Sequence, residues 1–89
     1  MANDLTGPVW IIDTPATLYT KLILVKGIRW VSKAAVMGDD VEIKDGAGHV
    51  IWTSIATGPN YVEADSMLRI VEGLVVSVLD SGKLYLELR

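Results

Sequence analysis

Eighty-nine residues suffice for one domain near the lower size limit of independent folding, and at 51% hydrophobic residues so small a core cannot hide all of them. The absence of cysteine excludes a disulfide framework, thiolate metal ligands and thiol catalysis, and the single histidine leaves little for imidazole chemistry. Eight basic against eleven acidic residues, with no basic stripe, argue against a nucleic-acid partner, because duplex binding draws on clustered Lys and Arg to displace counterions.

No membrane partner is expected either. The longest aliphatic runs, such as Leu22 to Val25, are four residues, whereas a spanning helix needs about 20. The opening MANDLTGPVW carries Asp4 and neither Lys nor Arg, so it does not read as a secretory signal, and the chain is expected to be made in the cytoplasm. Apolar residues in excess of the core predict association with other subunits, as a homo-oligomer or with a partner.

Eleven valines, eight isoleucines and six threonines make a strand-forming composition, since β-branched side chains suit a pleated surface. Pro8 to Ile12 is a short apolar strand between Gly7-Pro8 and the turn Asp13-Thr14-Pro15, and its leading proline suits an edge or an entering arm. Leu18 to Val25 alternates, with Leu18, Leu22 and Leu24 on one face and Tyr19, Lys21, Ile23 and Val25 on the other. Past Gly27, a candidate bulge, Ile28, Trp30 and Ser32 oppose Arg29, Val31 and Lys33.

Val41-Glu42-Ile43-Lys44 turns its aliphatics inward, and His49 to Thr57 follows with Val50, Trp52, Ser54 and Ala56 on one face. The glycine-bearing link Asp45-Gly46-Ala47-Gly48 between them predicts a β-hairpin. Tyr61 to Glu72 fits neither the strand nor the helix period, leaving a short strand or a helical turn open. Leu74 to Leu79 and Lys83 to Leu88 flank Asp80-Ser81-Gly82, a second hairpin signal, with Leu84, Leu86 and Leu88 forming an apolar row. The expected fold is all-β, a small antiparallel β-sandwich or barrel of about seven or eight strands, with residues 1–17 as an amino-terminal arm and 18–89 as a single β domain.

Chemistry is sparse. Asp39, Asp40, Glu42, Asp45 and His49 crowd one stretch, but Asp45 lies a strand length from the first acids, roughly 13 Å along an extended chain, so no metal site is expected. The glycines there precede a strand rather than a helix, which fails the context of a phosphate cradle. Ser32 and Ser54 sit in strands without nucleophile-elbow glycines. Catalytic, cofactor and metal residues are accordingly none, and the protein is expected not to be an enzyme. Trp30 and Trp52 share faces with Ile28 and Val50 and are expected in the core. Trp10, among Val9, Ile11 and Ile12, is the better anchor for a neighbouring subunit.

The blocks Val25 to Trp30 (VKGIRW), Lys44-Asp45-Gly46, Asn60-Tyr61-Val62 and Leu79 to Tyr85 (LDSGKLY), in this order, resemble short proteins encoded by tailed bacteriophages, over nearly the whole chain. That resemblance implies a structural protein of the virion that decorates or cements the head by binding the major capsid protein or another virion protein. The alternatives are a tail or connector component, or a host- or glycan-binding β module using exposed tyrosines. Candidate interface residues are Val9, Trp10, Ile11, Ile12, Tyr61 and Tyr85.

Overall fold

The computed structural model of the chain describes residues 3–88 except Thr6 and Pro8, with Met67 described through its backbone alone. Six strands, β1 (Val9–Ile12), β2 (Ala16–Ser32), β3 (Asp40–Lys44), β4 (Val50–Ile55), β5 (Tyr61–Leu79) and β6 (Lys83–Leu88), form one antiparallel sheet in the order β1-β6-β2-β5-β3-β4. The described residues contain no helix. β2 and β5 are of double length, 17 and 19 residues, so that their halves together with the other four strands account for the expected strand segments.

Bulges, not turns, join those halves. On β2, Lys26 is the extra residue between the pairs Val25–Leu88 and Gly27–Glu87. On β5, Gly73 adopts φ 88° where Thr20 and Lys21 are interposed between the pairs Tyr19–Leu74 and Leu22–Glu72. Bending there lets one sheet serve as two facing layers. β6 pairs along the C-terminal half of β2 and β1 along the far side of β6, whereas β3 and then β4 extend the C-terminal half of β5.

A single core fills the space between them. Val25, Ile28 and Trp30 of β2, Leu84 and Leu86 of β6 and Ile12 of β1 pack with Val41, Ile43, Leu74 and Val76. Each fully buried aliphatic side chain stabilises by about 1.5–3 kcal/mol. Trp30, Trp52 and the row Leu84, Leu86, Leu88 are buried as their strand faces predict, and the β3–β4 hairpin forms with Val41 paired to Ser54 and Ile43 to Trp52.

The second hairpin does not form. Asp80-Ser81-Gly82 joins β5 to β6 tightly, but β5 pairs with β2 and β3, and β6 with β1 and β2. The reason lies at the turn itself. Trp30 Nε1 donates to the Ser81 carbonyl at 2.8 Å, and the Ser32 and Ser81 hydroxyls lie 2.7 Å apart, which starts β6 beside β2.

The single face expected for Leu18, Leu22 and Leu24 is split: Leu18 and Val25 are buried while Leu22 is 66% exposed, because the register shift opposite Gly73 exchanges the faces of β2. Tyr61 to Glu72 is strand throughout. Its period misleads because the inward positions carry Tyr61 and Glu63, whereas Val62, Leu68 and Ile70 are exposed. The arm does not stand apart, since Val9–Ile12 is an edge strand of the same sheet, held on its other side by the Asp4–Ile11 bridge. Pro8, expected to open that strand, lies outside the described residues.

Candidate functional site

The acidic stretch resolves into separate structural tasks. Asp45 Oδ1 accepts the backbone N–H groups of Ala47 and His49, both at 2.9 Å, and these bonds, led by that of His49, hold its carboxyl below the usual carboxylate range. Gly48 takes φ 92° in the turn. Gly46 serves close approach instead: its N–H donates to the Glu72 carbonyl at 2.8 Å, and its backbone sits against Gly73. The hairpin tip is thereby docked on the bend of β5. The His49 ring, 80% exposed, lies 3.3 Å from Asp45 Oδ2.

Asp39 Oδ2 accepts the Val36 N–H at 3.0 Å, and Glu42 accepts from the Ser77 hydroxyl at 2.9 Å while Lys44 lies 3.6 Å away. At the joint of β3 and β5 the Asp40 N–H donates to Asp80 Oδ2 at 2.9 Å and the Asp80 N–H donates to the Asp40 carbonyl at 3.0 Å. The Asp40 carboxyl is raised, first by its hydrogen bond with Asp80, then by desolvation and by the charges of Asp80, Glu42 and Asp39. Among the described residues no group of three or more Asp, Glu or His side chains is placed to hold a metal ion.

A second polar cluster lies between the layers. Ser54 and Tyr61 hydroxyls both donate to Glu63 Oε1 at 2.7 Å, and Trp52 Nε1 donates to Asp65 Oδ2 at 2.7 Å. The hydroxyls, Tyr61 foremost, stabilise the Glu63 carboxylate and lower its proton affinity. The Tyr61 ring also packs edge-on against Trp30, with centroids 5.4 Å apart. These bonds join β4 side chains to the first half of β5, which no backbone ladder does, and they leave no buried side-chain polar atom without a partner among the described residues.

Of the candidate interface residues, Ile12 is fully buried in the core, because the face of β1 that it occupies is the one turned toward Leu84. Tyr61 is half-buried and engaged as above. Trp10 is half-buried, its ring edge-on to Tyr19 at 6.2 Å. Val9, Ile11 and Tyr85 are brought together on the outer face of the first layer. Two rows cross four strands there: Val9, Glu87, Gly27 and Ser66, and beside it Ile11, Tyr85, Arg29 and Ala64.

The missing side chain of Gly27 opens a shallow notch of about 420 Å³ between Val9, Arg29, Ser66, Tyr85 and Glu87. The Arg29 guanidinium stacks over the Tyr85 ring at 4.9 Å. Alternation had placed Arg29 outward, but only pairing through β6 sets it on the tyrosine. One cation, one carboxylate and an aromatic ring on a pleated face are elements of a contact surface. Comparisons with protein-family models, curated proteins and solved structures find no match to this chain.

Proposed function

We propose that the chain is a non-enzymatic structural component of a tailed-bacteriophage particle, a β module that decorates or cements the head by bridging neighbouring subunits of the major capsid protein. The observation that supports this reading is the outer face of β1, β6, β2 and β5, where Val9, Ile11, Arg29 and Tyr85 form one continuous surface that joins apolar, aromatic and charged side chains. Binding to the assembled lattice but not to free subunits would stabilise the lattice by mass action. Many modest contacts, repeated over a symmetric shell, would add through multivalency. The protein would be made in the host cytoplasm and end in the virion.

The decisive experiment is quantitative mass spectrometry of purified particles. A copy number on the order of hundreds is expected for a shell component of high symmetry. A handful of copies would move the protein to the tail or connector, and absence from particles would refute the proposal. Tyr85→Asp, on the outer face, should weaken binding to heads while leaving the fold intact by circular dichroism. Glycan binding through tyrosines has less support, since the Tyr61 hydroxyl is bonded to Glu63 and its ring to Trp30.

A further inference from the structure

β5 pairs with β3 only over Val75 to Leu79, so from Tyr61 to Ile70 it has β2 on one side and no strand on the other. Every described side chain from Ala64 to Ile70 is exposed, Leu68 to 80% and Ile70 to 67%. Natural sheets guard such edges with lysine, proline, brevity, β-bulges or inward-pointing charges. The stretch Val62 to Ile70 holds neither lysine nor proline, and its nine residues make a full-length edge with one irregularity, where Met67 and Leu68 stand opposite Lys26 alone, and one inward-turned charge, Glu63.

Its sequence is complementary to itself. Laid antiparallel against a second copy about a two-fold axis at Ser66, Val62 falls opposite Ile70, Ala64 opposite Leu68, and Glu63 opposite Arg69. Positions of equal parity oppose one another, so both copies keep the same faces outward and inward. Shifting the pairing two residues toward the amino end would set Asp65 against Asp65, a like-charge pair that opposes it. Among the described residues Arg69 makes no ion pair within its own chain, and Glu63, whose Oε1 already accepts from Ser54 and Tyr61, would offer Oε2 to the Arg69 of the second copy, giving two symmetric pairs that flank the axis. Leu24, the cross-strand partner of Ile70, and the exposed Leu22 two residues away on the same face would extend the apolar contact.

We propose that two copies of this chain join through the free edge of β5, Val62 to Ile70, as an antiparallel two-fold ladder centred on Ser66. The proposal stands independently of the virion reading, since it concerns the isolated protein. A ladder of this length engages fewer than the roughly 20–30 residues a side of a standard interface, so the association is concentration-dependent.

The chain lacks cysteine, which allows a direct test of the register. Antiparallel partners have Cα atoms about 4.5–5.5 Å apart, within the disulfide window of about 4.4–6.8 Å. Under mild oxidation Ser66→Cys should form linked dimers at least about tenfold faster than Val62→Cys, whose two cysteines would stand about eight residues apart along the ladder. Sedimentation equilibrium at the highest soluble concentrations should show a dimer for the wild type and a monomer for Leu68→Lys. A monomeric wild type, a Leu68→Lys variant that remains dimeric, or equal linking rates for the two cysteine variants would each overturn the proposal. The first of these outcomes would leave the edge to a strand of a different protein.

Discussion

At Gly82 the backbone takes φ 74°, and a Cβ there would overlap the Val31 carbonyl oxygen and lie 2.6 Å from Ser32 Cβ. Gly82→Ala is therefore expected to cost about 2–4 kcal/mol, combining a strained φ with a clash against backbone that cannot yield, as urea unfolding would show. Glu63 acts through charge. Its folded proton affinity is lower than the ordinary carboxylate value of 4.5, so its contribution is complete above that pH and disappears as pH falls through the lower, folded value. Glu63→Gln should lose about 1 kcal/mol near neutrality, with its charge-assisted bonds from Tyr61 and Ser54 weakened, and its stability should fall less steeply than that of wild type below pH 4.5. Denaturant midpoints measured across that range would check both statements. The capping role of Asp45 was readable from its place ahead of two glycines, whereas the partnership of Glu63 with Ser54 was not, because nothing local in the chain brings β4 to the first half of β5.

Among the elements, the short strands were the most legible. β6 alternates without interruption, and burial follows the alternation at Val41, Ile43, Trp52, Leu84 and Leu86, while Val50 is turned out by the register shift between Ile43 and Lys44. The long strands were legible only in halves, since a bulge moves every later side chain to the opposite face while leaving the local pattern intact. The Asp80-Ser81-Gly82 turn misled for a related reason. Turn chemistry specifies a sharp reversal, but the strand that the chain then joins depends on what the turn touches. Trp30 supplies that contact through its indole N–H on the Ser81 carbonyl. Trp30→Phe should cost about 1–3 kcal/mol in an unfolding titration, because the ring volume is partly retained while the donor is lost and the carbonyl it served is left without that partner.

For the whole molecule, the ratio of surface to core governs behaviour. Leu22, Leu68 and Ile70 stay exposed around the free edge of β5 although the chain is small and needs burial. If that edge is covered by a second copy, folding and association are linked. The thermal midpoint should then rise with protein concentration in the wild type and be independent of it in Leu68→Lys, as differential scanning calorimetry over a concentration series would reveal.

Composition and alternation alone determined that this chain is all-β, where its short strands run and which tryptophans are buried, because these depend on side-chain shape and on a two-residue period that any strand must obey. Only the tertiary structure decided that eight strand segments are six strands, that the Asp80–Gly82 turn makes no hairpin, and that Val9, Ile11, Arg29 and Tyr85 share one face. Those outcomes depend on contacts between residues tens of positions apart, such as Trp30 with Ser81 and Gly46 with Gly73, which close approach establishes and local pattern cannot encode.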